Sequence, residues 1–231
     1  MRTAVDRERF SAFWKLYEGE RAGSLHALDV IERGTRFRLS ILLNAKLGEL
    51  LDVVREALEK CLPDEGLGAS SSRGLGKLSV RSLEVREITP EVALSRADEI
   101  DLRGFCLRLL SPAIVAPGQV RDGFLEPSSL EAYARKAYSR VFKRVPRLSG
   151  LRPVEGHFRC KATVVSGWSL KKGVRRALEG ALDAGCVMEY RAEHPEGPLA
   201  EALAALELCG SVGKRGSRGF GQVAIEGVAG M

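Results

Sequence analysis

A helix-like run, a glycine-rich basic loop and a strand-like run occur in that order twice in this chain, and the duplication limits the fold more than any other feature. Near the C-terminus the loop reads Gly213-Lys-Arg-Gly-Ser-Arg-Gly-Phe-Gly-Gln-Val223, and residues 66–78 carry a near copy, Gly-Leu-Gly-Ala-Ser-Ser-Ser-Arg-Gly-Leu-Gly-Lys-Leu. With Arg73 set on Arg218, Gly68 falls on Gly213, Gly74 on Gly219 and Gly76 on Gly221. Matched internal spacing at two places indicates a repeated supersecondary unit. Glycines accept positive φ and let backbone amides approach a ligand. Arg73, Lys77, Lys214, Arg215 and Arg218 add charge and donors suited to phosphate oxygens. Each loop is therefore a candidate phosphodiester cradle, and equally a hairpin turn with solvated cations. A Walker loop is excluded, because Gly76-Lys77 runs into Leu78 and a strand-like segment instead of Ser or Thr at the head of a helix. A dinucleotide fingerprint follows a strand and opens a helix, the reverse of the order here.

Residues 1–24 place Phe10, Phe13, Trp14 and Tyr17 at helical spacing and read as an amphipathic helix or turn. Leu25–Ile31 and Thr35–Leu43 read as strands, Leu47–Leu62 as an amphipathic helix, and Gly76–Ile88 as a strand after the first glycine loop. Residues 89–101, acidic and holding Pro90, read as a linker. Beyond it the expected order is a strand at 105–110, a helix from Ser128 or Ser129 to Phe142, and strands at 157–166 and 185–191. A helix at 198–208, the second glycine loop and a strand at 222–228 follow. This is the split β-α-β order of a ferredoxin-like unit. The expected class is α+β, with two ferredoxin-like (RRM-like) units in tandem at 1–88 and 102–231, the first incomplete. Its opening strand and helix are missing, and a sheet short of a central strand leaves unpaired edges. Residues 1–24, the second domain or another polypeptide would fill the gap.

With 231 residues and 45% hydrophobic content, the chain has ample core. Lys and Arg number 36 against 30 Asp and Glu, a net charge of +6 that makes nucleic acid a plausible partner without requiring one. Aromatics at 6% weigh against a surface built on base stacking. The five cysteines (61, 106, 160, 186 and 209) have no pair at metal-ligand spacing and read as reduced, buried thiols of a cytoplasmic protein; no metal site and no cofactor are expected. No apolar run approaches membrane-spanning length. Trp168 with Lys171, Lys172, Arg175 and Arg176 offers a stacking face beside four positive charges, or a core tryptophan next to a solvated turn. The basic tract from Arg135 to Arg152 reads mainly as a solvated helix face.

Taken together, these residues resemble the RAMP superfamily of CRISPR-associated proteins. The likeness rests on three passages. One is Val5-Asp-Arg7 with Gly23-Ser-Leu25 and Glu32-Arg-Gly-Thr-Arg-Phe37, another is the pair of glycine loops, and the last is Val165-Ser-Gly-Trp-Ser169 with Ala184-Gly-Cys-Val-Met188. The last resembles the second domain of two-domain, Cas-five-like subunits, especially of type III-D. The chain departs from the pattern at Ser211, where a glycine would complete the second loop, and in lacking the first strand and helix. The family's catalytic aspartate belongs to that missing portion, and Asp6 lies in a different motif. What the resemblance implies is a non-catalytic subunit that holds the 5′ handle of the guide RNA within an effector ribonucleoprotein, beside other effector subunits. Gly68, Arg73, Gly74, Gly76, Lys77, Gly213, Lys214, Arg215, Arg218, Gly219 and Gly221, with the Trp168 segment, are the expected RNA contacts.

Two other readings stay open. A metal-independent endoribonuclease for guide precursor needs a general base for the 2′-hydroxyl and a cation for the transition state; His26 is the candidate, since neither His157 nor His194 has an obvious partner in the sequence. A protein-only scaffold would use the loops as turns.

Overall fold

A computed structural model of the chain describes residues 31–44, 48–68, 74–166, 177–195 and 197–228, and the backbone of short strands elsewhere. The chain separates into two units, Met1–Arg55 and Glu56–Met231. The class is α+β with antiparallel sheets.

In the first unit, β1 (Arg2–Thr3), β2 (Val5–Asp6), β3 (Ser11–Ala12), β4 (Trp14–Tyr17), β5 (Glu20–Gly23) and β6 (Leu25–His26) form three antiparallel pairs, β1 with β6, β2 with β3 and β4 with β5. Where an amphipathic helix or turn is expected within 1–24, the described backbone forms paired strands, and Phe10 and Phe13 lie outside the described residues. Aromatic Trp14 and Tyr17 favour strands, and this preference overrides their helical spacing. Residues 27–30 of the expected Leu25–Ile31 strand lie outside the described residues. Thr35–Leu43 forms no ladder among the described residues, and Phe37, Leu39 and Ile41 are exposed. Alternation confers strand capacity only; a partner must supply the hydrogen bonds. The expected helix starts at Leu50 as α1 (Leu50–Glu56), passes through a π turn and ends as α2 (Leu62–Glu65). Gly76–Ile88, expected as a strand, likewise makes no ladder among the described residues.

Residues 89–101, expected as a linker, hold a helix, α3 (Pro90–Ala97), in which Pro90 takes the first helical turn and Thr89 caps it by accepting from the Val92 amide. Ala93 and Ala97 are buried. The second unit continues through β7 (Phe105–Leu109), β8 (Val120–Arg121), β9 (Phe124–Leu125), α4 (Pro127–Phe142), β10 (Leu151–Arg159) and β11 (Ala162–Val165). Then come β12 (Trp168–Ser169), β13 (Val174–Arg175), β14 (Glu179–Leu182), β15 (Val187–Ala192), α5 (Leu199–Cys209) and β16 (Val223–Gly227). The main sheet has the order β10, β15, β7, β16, all antiparallel. With α4 and α5 as the connecting helices, this is the ferredoxin-like arrangement.

Alternation explains the sheet's inner face. Phe105, Leu107 and Leu109 of β7 are buried while Arg108 is exposed. Phe105 stacks on Tyr190 of β15, ring centres 5.9 Å apart, and the Tyr190 hydroxyl donates to the Leu125 carbonyl at 2.6 Å. Each such fully buried large side chain contributes about 1.5–3 kcal/mol. Leu130, Ala134, Ala137, Tyr138 and Val141 of α4 meet α5, whose Ala202, Ala204 and Ala205 permit close approach. Strands β8 and β9 are joined through Asp122 and Gly123, both at positive φ, as a tight Asp-Gly hairpin requires.

The two edges of the sheet are handled differently. Strand β10, on one edge, carries Pro153 and a register shift between Pro153 and Phe158. On the other edge, Ile225 of β16 donates its N–H to Glu207 Oε1 at 3.3 Å, and its carbonyl accepts from Arg96 Nη2 at 2.5 Å. Arg96 and Glu207 themselves form a 2.7 Å ion pair.

Candidate nucleic-acid interface

Helix α5 ends where the Gly210 amide donates to the Leu206 carbonyl. From there the chain is pinned to itself and to residues 110–114. The Val212 amide donates to the Gly221 carbonyl at 2.8 Å, the Lys214 amide to Ile114 at 2.8 Å and the Gly221 amide to Pro112 at 2.9 Å. Gln222 donates to the Ser111 hydroxyl at 2.9 Å. Between these pins a 3₁₀ turn, Gly216–Arg218, is flanked by Arg215 and Gly219 in left-handed conformation.

These fastenings give several glycines a reason internal to the fold. A Cβ at Gly213 would strike the Ile114 carbonyl oxygen, and one at Gly221 the Val212 carbonyl oxygen. A Cβ at Gly216 would collide with Ser211 Oγ, so the serine that departs from the glycine pattern occupies the room left by Gly216. Gly219, at φ 83°, faces nothing within 4 Å. Of the glycines in this loop expected to serve a ligand, Gly213 and Gly221 are demanded by packing and Gly219 opens outward.

The described ends of the first loop repeat one of these fastenings. The Leu67 amide donates to the Gly76 carbonyl at 2.8 Å, and a Cβ at Gly76 would strike the Leu67 carbonyl oxygen, as Gly221 would strike Val212. Gly68, Gly74 and Gly76 share positive φ with Gly213, Gly219 and Gly221. Gly68 differs from Gly213 in having open space around it. Lys77 is exposed, and Arg73 lies outside the described residues.

The cations of the second loop divide. Lys214 and Arg218 are exposed and make no ion pair among the described residues. Arg215 instead meets Glu179 of β14, Nη2 to Oε2 at 2.5 Å, with both side chains about three-quarters covered. The ion pair is close, yet that carboxylate oxygen is buried without an aligned hydrogen bond. The segment 113–114 links loop and hairpin: Ile114 bridges Lys214, and Ala113 exchanges two 2.9 Å bonds with Leu182 of β14. Strand β14 pairs with β11, and farther out Trp168 pairs with Arg175 across β12 and β13. The side chains of Trp168 and Arg175, and Lys171, Lys172 and Arg176, lie outside the described residues.

Several residues of the Arg135–Arg152 tract have structural partners. Arg140 donates to the Cys209 carbonyl at the end of α5, Arg135 to the Leu148 carbonyl, and Arg152 pairs with Glu193. Arg144 donates to the Tyr138 hydroxyl at 2.7 Å and lies over that ring.

His26 pairs its backbone with Arg2, and its side chain lies outside the described residues. His157 does have a partner: its Nδ1 is 2.7 Å from Oε2 of the nearly buried Glu189, on the sheet face away from the helices. The β10 register shift hides this neighbour from sequence pairing rules. On the same face Arg108 pairs with Glu226 at 2.7 Å. Burial pushes the Cys106 thiol up, and the Glu189 and Glu226 carboxylates add to the shift. All five cysteines are free, but only Cys186 is buried: Cys106, Cys160 and Cys209 are half-buried and Cys61 is exposed, which corrects their reading as buried thiols; no residue of the π turn that carries Cys61 is buried. No helix among the described residues is long and apolar enough to cross a membrane.

No family model and no curated protein matches this chain. Among solved structures the chain is similar to a point mutant of a Cas6 protein, at 16% identity and a TM-score of 0.36. The match covers 58% of this chain and 57% of that one, so the chain spans little more than half of that protein's length.

Proposed function

We propose that this chain is a non-catalytic, RNA-holding subunit of a type III CRISPR effector ribonucleoprotein, acting in the cytoplasm. It grips the 5′ handle of the guide RNA with its two glycine loops and the basic segment that holds Trp168, Lys171, Lys172, Arg175 and Arg176. The observation that carries the reading is the second loop. Its backbone is fastened on both sides by residues 110–114, while Lys214 and Arg218 stand exposed beside the open Gly219. RNA is held largely through phosphates and 2′-hydroxyls, which suits cations on a loop whose backbone is fastened at several points. The sequence resemblance to RAMP subunits supplies the biological setting. Neighbouring effector subunits are the expected protein partners, one of them offering a strand to the unladdered Thr35–Leu43 segment.

The test is retention of labelled repeat RNA without added metal. Arg218→Ala is expected to weaken binding roughly three- to tenfold and to reduce the salt slope by about 0.7, one single-strand phosphate contact. Unchanged affinity removes the second loop from the interface. Failure to retain RNA at all favours the protein-only scaffold.

The endoribonuclease reading gains one observation, the carboxylate-held imidazole of His157. Cleavage of the same RNA that is lost in His157→Ala would establish it in place of the holding role.

A further inference from the structure

Among the described residues Arg215 is the one cation of the second loop that carries a counter-charge, and the pair has features that its local structure does not require. The backbone at Arg215 is left-handed, φ 62°. Glycine suits such a position without strain, whereas a long side chain costs of order 1 kcal/mol there. What the arginine gains is Glu179, thirty-six positions earlier on another element. Yet the carboxylate oxygen it touches is stripped of water and lacks an aligned hydrogen bond. A desolvated carboxylate with incomplete compensation is a poor permanent partner. A phosphodiester offers the same guanidinium two oxygens in a geometry that its fork fits.

We propose that Glu179 is a displaceable counter-charge: it occupies Arg215 in this structure, and the phosphate backbone of single-stranded RNA takes its place. The inference rests on the reading of the second loop as an RNA cradle. Lys214 and Arg218, lying on either side of Arg215 in the loop, make the first contacts. A strand that engages them brings a phosphate to Arg215, and the carboxylate turns out to solvent. Glu179 itself stands at the start of β14, whose Leu182 is bonded to Ala113 next to the loop's anchor Ile114. Glu179 thereby lowers affinity for any polyanion that cannot satisfy the flanking cations first.

Glu179→Gln keeps the side-chain volume and removes the competitor. Binding of a labelled uridine 20-mer is expected to tighten about three- to tenfold, with the salt slope steeper by about 0.7, one added phosphate contact. In an Arg215→Gln background the same change should give no gain, because the released partner is absent. Weaker or unchanged binding by Glu179→Gln, while Arg218→Ala still weakens binding, leaves the cradle standing and overturns the counter-charge. A gain that persists in Arg215→Gln would be general loss of negative charge and overturns it too. Absence of RNA binding by the unaltered protein, or binding indifferent to Arg218→Ala, overturns the cradle and this inference together. A single-stranded DNA arm reports whether the exchanged ligand is phosphate alone or ribose as well.

Discussion

At Gly221 a Cβ would strike the Val212 carbonyl oxygen, whereas at Gly219, two residues earlier, it would meet nothing within 4 Å. Gly219→Ala should therefore cost roughly 1 kcal/mol, the left-handed backbone term alone. Gly221→Ala should cost more than about 3 kcal/mol, since clash adds to strain. Urea unfolding midpoints separate the two. Gly216→Ala is likewise expected to destabilise through Ser211 Oγ, and Ser211→Gly in that background should restore much of the loss, a coupling of about 0.5–3 kcal/mol. The positions of these glycines were legible from the repeat, because the spacing that aligns Gly76 with Gly221 reflects one shared backbone geometry. Their reasons were not legible, since those lie in contacts with Ile114, Val212 and Ser211 that no local pattern encodes. The Arg215–Glu179 and His157–Glu189 pairs were hidden in the same way, joining elements remote in the chain.

At the scale of elements, the ferredoxin-like order from β7 to β16 was readable because strand alternation and helical periodicity are local. Helix α3 was missed because Pro90 can end an ordered segment or open a helix, and only the Thr89 cap and the burial of Ala93 decide. Thr89→Ala should lower stability by about 0.5–1 kcal/mol. Arg96→Ala should cost more, about 2–3 kcal/mol, since it leaves Glu207 without its counter-charge and the Ile225 carbonyl without its donor. Thermal melts of both variants check the ranking. Thr35–Leu43 and Gly76–Ile88 show the opposite limit of sequence reading. Their composition suits strands, but pairing is a property of two segments, and neither has its second among the described residues.

For the whole molecule, stability should fall in alkali. Burial and then the neighbouring Cys186 thiol push Cys160 up to about 12 from an ordinary 9.0, and burial likewise raises the Tyr190 phenol. Both groups hold their protons longer in the fold than in the open chain. The contribution of Tyr190 thus begins to fall only above pH 10.0, whereas that of Cys160 is complete below pH 9.0 and is lost as pH rises toward about 12. Cys160→Ala should flatten that decline in denaturation midpoints measured between the two values. The net charge of +6 favours polyanions at long range, but the arrangement of the sheet margins governs association with proteins. One flank is interrupted by a proline and a slipped register, and the middle of the other is occupied by an arginine and a glutamate that imitate a neighbouring strand. A fifth strand finds no unbroken row of donors and acceptors on either side of this sheet. The second unit therefore resists the edge-to-edge pairing by which bare sheets grow into fibres.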